Sequence, residues 1–320
     1  MESQRLEETT IHDTIPIINV QGSVPMDATI LLILSISFAV INNLLLHGFN
    51  NKGLRGIGDV LLFNAFVSAV WLVILIVFNW GEKISASAWL WGAVYGSVMS
   101  AFLLCKMQAM ATGPVSITSF IGCSSLLIST AFGILYFHEK VSVVQTVGVG
   151  CLLVALFLTV SKSRKNSEQQ AKVEKSWSIW CVLFFLCSGA TGIIFKLHQS
   201  SGEREAVNQM MLAAAVTSTA LFLIFSLLVQ RKIDKTLPRI PPHAWIFVIA
   251  CGIVSCGYNR MNISLSGMLP SILFFPLFNG LVILLASLLA AALFREKITK
   301  RQMLGIIIGL GALLMVSGGG

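Results

Sequence analysis

The chain has 320 residues, of which 56% are hydrophobic and 11% charged, and its formal net charge is +8. Soluble proteins carry about 25% charged residues, so this composition excludes an ordinary soluble domain and is typical of a chain surrounded by lipid. The basic residues lie in short stretches between apolar runs, without the basic, aromatic-laced face that nucleic-acid binding requires.

Ten apolar segments are long enough to cross a membrane as helices, which takes about 20 residues each. They are predicted at 27–47, 57–79, 87–110, 114–137, 142–160, 177–198, 205–229, 243–265, 270–294 and 299–317. A polar N-terminal tail, 1–26, precedes them, and a polar linker, 161–176, separates a first repeat at 27–160 from a second at 177–317. The sequence therefore predicts an all-α membrane protein built from five helices and five.

A twelve-residue motif occurs twice, at 137–148 and again 157 residues later at 294–305. Phe, Glu, Lys, Gln and Gly recur identically, and the two glutamates are Glu139 and Glu296. One copy joins the fourth predicted span to the fifth, and the other joins the ninth to the tenth. A polar hinge repeated half a chain apart indicates an internal duplication.

Each copy of the motif also predicts a helix start. Ser142 is followed three residues later by Gln145, and Thr299 by Gln302, which is the spacing of a capping box. A negative charge stabilises the positive end of a helix, so the glutamate ahead of each box is expected to support that helix start. A direct role of either glutamate in coupling is the alternative.

An odd number of spans in each half means that the two halves cross the membrane in opposite directions. Such inverted repeats are the usual plan of secondary transporters. Further positions match between the halves, namely Lys106 with Arg260, Pro114 with Pro270 and, more weakly, His47 with Lys196.

Ten spans, two inverted halves and the doubled hinge resemble the drug/metabolite transporter superfamily, and within it the EamA-type ten-helix transporters. The resemblance covers nearly the whole chain after Asp27. It implies a transporter rather than an enzyme, with a central cavity formed by both halves and with the fifth and tenth spans at the periphery. The superfamily carries amino acids, sugars, nucleotide sugars, phosphorylated metabolites and drugs, so the resemblance leaves the substrate open.

Two cations are predicted within spans, Lys106 in the third and Arg260 at a similar depth in the eighth. Ionisable groups at such positions are costly and mark functional sites, although long basic side chains can also extend to the membrane interface. Because the halves are inverted, the two cations are expected to approach the cavity from opposite faces. No Asp or Glu lies in the middle of a predicted span, which argues against proton-coupled export of cations and favours an anionic or zwitterionic metabolite such as an amino acid or organic acid.

Uncharged polar side chains within the spans are further candidates to bind substrate, and each can equally bond a neighbouring helix. They are Tyr95, Tyr258, Asn43, Asn64 and Asn279. Gly122 in the fourth span and Pro276 in the ninth interrupt matching segments of the two halves. Interrupted helices at matching positions indicate a transporter's binding site, so we expect the substrate beside them.

Small residues in several spans predict close helix packing, as at Gly92 with Gly96, at Gly305 with Gly309, and at Gly148. The seven cysteines all lie in apolar runs, with the spacing of neither a disulfide framework nor a metal site. We therefore interpret them as small packing residues.

Other classes of function are less well supported. A membrane-embedded enzyme would cluster His, Asp or Glu, whereas the five histidines lie in the tail or near span ends, so neither catalytic nor metal-binding residues are predicted. A non-transporting scaffold or receptor would not need an inverted repeat, and without a phosphate-binding G-x-x-x-x-G-K-[ST] motif ATP-driven pumping is not expected. An exporter of drugs or organic cations with the same fold remains the alternative.

The expected partners are a small-molecule substrate, the lipid bilayer and a coupling proton or ion, with no nucleic acid and no cofactor. We expect a multi-pass protein of a bacterial inner membrane. Most loop Lys and Arg residues lie on the side opposite the termini, so the positive-inside rule places both termini outside. The family resemblance implies both termini inside.

Overall fold

The structure is a computed structural model that describes residues 26–49, 56–160, 176–202, 206–233, 239–294 and 298–319. The polar tail up to residue 25, most of the predicted linker and Glu296 of the second motif copy lie outside the described residues.

Eleven α-helices make up the described part of the chain. They are α1 (Met26–Phe49), α2 (Ile57–Phe78), α3 (Ala86–Thr112), α4 (Val115–Ser124), α5 (Leu126–Phe137), α6 (Val143–Thr159), α7 (Trp177–Ser200), α8 (Val207–Ile233), α9 (Trp245–Met268), α10 (Ser271–Phe294) and α11 (Lys300–Gly318). A short 3₁₀ turn, Pro242–Ala244, leads into α9. Since α4 and α5 together form one crossing, the ten predicted spans are confirmed, with boundaries within four residues of the prediction.

Apolar side chains cover the outside of this bundle. Nine of the crossings in the described residues are long and apolar enough to span a membrane, and α6 is a shorter apolar helix. Within their apolar windows only 28% to 44% of residues are buried inside the protein. Side chains such as Leu135 and Leu314 are 75% and 73% exposed. A surface of this kind is stable in hydrocarbon, so the protein is an integral multi-pass membrane protein.

The helix packing has the two-fold pattern of inverted repeats. Helix α1 packs on α9 as α7 packs on α3, while α2 packs on its counterpart α8 and α6 on its counterpart α11. Successive spans alternate in direction, so Met26 and Gly318 lie at one end of the bundle, here named the terminus side. Thr159 and Trp177, which flank the linker, lie at the other end, here named the linker side.

Both predicted capping boxes are confirmed. The backbone amide of Ser142 donates to Gln145 Oε1 at 3.1 Å, and that of Thr299 donates to Gln302 Oε1 at 2.9 Å. The Ser and Thr hydroxyls accept in return from amides in the first turns of α6 and α11. His138 ends α5 in the left-handed conformation, with φ of 51°, and turns the chain back toward α6.

The predicted small-residue contacts are confirmed as well. A Cβ at Gly96 of α3 would lie 2.7 Å from the Ala214 carbonyl oxygen of α8. A Cβ at Gly305 of α11 would lie 2.8 Å from the Ala155 carbonyl oxygen of α6. Both distances are shorter than any real contact, so only glycine lets these helices approach so closely.

Candidate substrate-binding site

Lys106 lies in α3, six residues before the helix ends at the linker side. Its side chain is half-buried, and its Nζ atom lies 6.0 Å from the centroid of the Phe102 ring. The thiol of Cys123, in the last turn of α4, is a neighbour of Lys106. Within the described residues no carboxylate forms an ion pair with this ammonium group. The positive charge of Lys106 is therefore not neutralised by a carboxylate in the described part of the protein.

The fourth crossing is interrupted close to this lysine. Helix α4 ends at Ser124 and α5 begins at Leu126, with Ser125 between them. The Ser125 hydroxyl lies 2.6 Å from the Gly122 carbonyl oxygen and 2.6 Å from the Ser188 hydroxyl of α7. These bonds hold the break against the second half of the protein.

Aromatic rings connect Lys106 to this break. Phe102, which lies one helical turn before Lys106, packs on Phe184 of α7 with ring centroids 5.2 Å apart. A Cβ at Gly122 would collide with the same Phe184 ring. The structure thus brings Lys106 and the predicted hinge residue Gly122 to one meeting point of α3, α4 and α7.

The second predicted hinge residue behaves differently. Pro276 lies inside α10, which continues unbroken from Ser271 to Phe294. A proline in a helix interior removes one backbone hydrogen bond without the chain leaving the helical path. Matching positions of the two halves therefore carry a one-residue interruption at Ser125, which keeps helical dihedral angles, in one half and a continuous helix in the other.

Arg260 lies in α9, eight residues before the helix ends at the terminus side. Its Nε donates to the Asn208 side-chain oxygen at 2.6 Å, near the start of α8. This partner is neutral, and in the described residues no carboxylate pairs with Arg260 either. Lys106 and Arg260 thus lie toward opposite ends of the bundle.

The two candidate tyrosines lie in the interior. Tyr95 of α3 is 1% exposed, and its hydroxyl donates to the Asn259 side-chain oxygen of α9 at 2.9 Å. Its ring packs edge-on against Phe195 of α7, with centroids 5.0 Å apart. Tyr258 is half-buried, and its ring lies 6.5 Å from that of Phe278 of α10. Tyr95 therefore ties the first half of the protein to the second.

The three candidate asparagines share one arrangement. Each amide nitrogen donates to the carbonyl oxygen four residues earlier in its own helix, at 2.8 to 2.9 Å. The residues are Asn43 in α1, Asn64 in α2 and Asn279 in α10. Among them, Asn43 lines a cavity.

That cavity opens at the linker side and has a volume of about 280 Å³. It is lined by Asn43 and His47 of α1, by Ser287 and Ala290 of α10, and by Gln302 of α11. The His47 ring packs on Phe294 with centroids 4.7 Å apart. The cavity thus carries several polar groups at the boundary between the two halves.

A charged cluster lies at the corresponding place on the terminus side. Lys196 Nζ of α7 lies 2.8 Å from Glu139 Oε1, and both side chains are only 11% to 12% exposed. Glu139 also accepts from the Ser271 backbone amide at 2.6 Å and from the Ser271 hydroxyl at 3.1 Å. Lys196 donates to the Leu269 carbonyl oxygen at 3.0 Å. These four residues are named the Glu139 cluster.

A model of a known protein family matches the second half of the chain. The EamA-like transporter family model matches residues 175–318, which contain α7 to α11. The second half of the chain is therefore similar to the EamA-like transporter family. This family is part of the drug/metabolite transporter superfamily, so the resemblance carried by the doubled hinge is confirmed.

Solved structures share the fold of this protein. One crystal structure, described only as that of a protein, superposes with a TM-score of 0.66 at 13% sequence identity. The match covers 91% of this chain and 97% of that chain. At such low identity the likeness shows the fold alone. No curated protein matches the chain.

The hydrogen-bond partner of Glu139 differs from the sequence-based expectation. Glu139 was expected to support the start of α6, which follows it, yet its carboxylate caps the start of α10. Lys196 was not among the predicted site residues. The match of Lys196 to His47 was the only signal in the sequence that pointed to its position.

Proposed function

We propose that this chain is a secondary-active transporter that carries small anionic or zwitterionic metabolites, such as amino acids or organic acids, by alternating access. The observation that supports the substrate class is Lys106, a half-buried ammonium group deep in α3 without a carboxylate partner among the described residues. A charge in this position is costly unless an opposite charge approaches it. A substrate carboxylate or phosphate would supply that charge.

The interruption beside Lys106 locates the proposed site. Interrupted segments at matching positions of the two halves indicate a transporter's binding site. Helix α5 starts at Leu126, two residues after α4 ends, and the Cys123 thiol of α4 is a neighbour of Lys106. We therefore propose that the substrate anion binds to Lys106 beside this interruption.

Alternating access is proposed from the architecture. Two inverted repeats can exchange conformations, so that the binding site opens first to one face and then to the other. The doubled motif supports residues 27–160 as an EamA-like repeat equivalent to 177–317. A coupling proton or ion and a location in a bacterial inner membrane complete the proposal.

Counterflow exchange in proteoliposomes tests the substrate class. Pools of amino acids, organic acids, sugar phosphates and organic cations are each offered to the parent protein, to Lys106→Gln and to Lys106→Arg. A hydrogen bond to a charged group contributes about 1.5–3 kcal/mol, so Lys106→Gln is expected to reduce anion exchange at least about tenfold. Lys106→Arg keeps the charge and is expected to retain a larger share of the exchange.

A matched control is Lys140→Gln, which removes an exposed lysine at the terminus side. We expect its exchange rate to equal that of the parent protein. Exchange restricted to organic cations would instead favour a drug or cation exporter of the same fold. Exchange of anions that Lys106→Gln together with Arg260→Gln leaves unchanged would contradict the role given to these cations.

A further inference from the structure

We propose that the Glu139 cluster is a charged latch that holds the terminus side closed, and that its release opens this end while the linker-side cavity closes. The inference rests on the alternating-access function proposed above. The contacts of the Glu139 cluster would be made when the terminus side is closed and broken when it is open.

The latch joins the two halves of the protein at one point. Glu139 belongs to the first half, in the turn between α5 and α6, whereas Lys196 and Ser271 belong to α7 and α10 of the second half. The Lys196 ammonium group also lies 5.7 Å from the centroid of the Phe137 ring. An ion pair with little exposure is strong when intact and costly when one partner is lost, so it can act as a two-state contact.

Helices pack closely around the latch at the terminus side. A Cβ at Gly267 of α9 would lie 2.8 Å from Gln199 Cβ of α7, so the ends of these two helices touch. A Cβ at Gly133 of α5 would collide with the Ser271 side chain. Helix α9 therefore contacts α7 directly, and α5 contacts α10 directly, at this end.

The equivalent contacts at the linker side are loose. Ser271 follows Pro270 and is 0% exposed, whereas its repeat counterpart Val115 follows Pro114 and is 54% exposed. Helix α7 packs along α9, but their counterparts α1 and α3 make at most a marginal contact within the described helices. The helices are therefore more closely packed at the terminus side than at the equivalent positions of the linker side.

The difference in packing between the two ends is also seen at positions that match between the two repeats. At the terminus side Gly133 and Gly192 pack directly on neighbouring helices. Their counterparts at the linker side, Ala290 and Asn43, line the 280 Å³ cavity. His47 takes the place of Lys196 at this end, and it packs on Phe294 as Lys196 does on Phe137. Close helix packing at the terminus side is thus replaced by a cavity at the matching positions of the linker side, as expected for two states of one mechanism.

Thiol labelling of detergent-solubilised protein tests the latch, because both ends are then in contact with a charged methanethiosulfonate reagent. Ser129→Cys reports on the terminus side, since Ser129 is buried beneath the latch. Ala286→Cys, at the repeat-equivalent position, reports on the linker-side cavity. Labelling is measured above that of the parent protein, whose seven free cysteines all lie within helices.

Glu139→Gln removes the charge but keeps an oxygen that can accept from the Ser271 amide. With this variant we expect Ser129→Cys to be labelled about ten times faster and Ala286→Cys about ten times more slowly. Lys196→Gln is expected to act in the same way. The adjacent exposed residue supplies the matched control, Lys140→Gln, which is expected to change neither rate.

Labelling of Ser129→Cys that neither latch variant accelerates would overturn the proposal. Faster labelling at both reporters would also overturn it, because that result marks a general loss of packing rather than an exchange of states. The assay uses no substrate, so a failed latch leaves the transport proposal standing on counterflow alone. Conversely, a protein that exchanges no substrate can still show the reciprocal labelling change.

Discussion

We expect the ion pair between Glu139 and Lys196 to show a coupling free energy of about 3 kcal/mol in a double-mutant cycle. The charged atoms lie 2.8 Å apart, and both side chains are about one-tenth exposed. At an effective dielectric constant of about 20, the direct attraction at this distance is about 6 kcal/mol. The cost of desolvating both groups offsets part of it.

The cycle combines Glu139→Gln with Lys196→Met. Either change alone leaves the other charge buried without its partner, so each is expected to lower the free energy of unfolding by about 3 kcal/mol. The double variant leaves no unpaired charge and is expected to cost about as much as one single change. The coupling free energy is the difference between the sum of the single effects and the double effect.

Unfolding with sodium dodecyl sulfate in mixed micelles, followed by circular dichroism, measures these free energies. A control cycle pairs Glu139→Gln with Lys140→Met. Lys140 is exposed, so its coupling is expected to stay below about 1 kcal/mol. If Glu139→Gln and Lys196→Met were additive within about 0.5 kcal/mol, the reasoning from distance and burial would be refuted.

Two further predictions concern the contacts between helices. Gly96→Leu is expected to destabilise the protein by about 3 kcal/mol, because the added side chain would collide with the Ala214 backbone, whereas Gly150→Leu, in open space on α6, is expected to have little effect. Thermal unfolding in detergent compares the two, and equal stabilities would contradict close α3–α8 packing. Tyr95→Phe removes the hydroxyl that donates to Asn259 and is expected to cost about 1 kcal/mol in the same unfolding titration. A stability equal to that of the parent protein would show that this bond contributes nothing to folding.

Much of the fold could be predicted because its signals are local. A membrane span is a run of about 20 apolar residues, and a capping box is a pair of side chains three residues apart. Both can be read without knowing any tertiary contact, and Ser142 with Gln145 and Thr299 with Gln302 formed the predicted boxes. The break at Ser125 was also signalled locally, by the small residues that follow Gly122.

The partners of individual polar groups could not be predicted in the same way. Glu139 pairs with a lysine 57 residues later and with an amide 132 residues later. The local pattern assigned it to the helix that follows, because a carboxylate near any helix start is stabilising. Which helix start it reaches depends on how the two halves pack. The same holds for Tyr95, whose partner Asn259 lies in the other half.

The sequence by itself determined that this chain has ten spans in two inverted halves, because hydropathy and the parity of five spans are properties of the chain order. It did not determine which end of the bundle is closed. The two halves carry the same motif, so the sequence is compatible with the latch forming at either end. Only the tertiary structure decided where the helices pack closely, at Gly133 and Gly267 on one side, and where they leave a cavity, on the other.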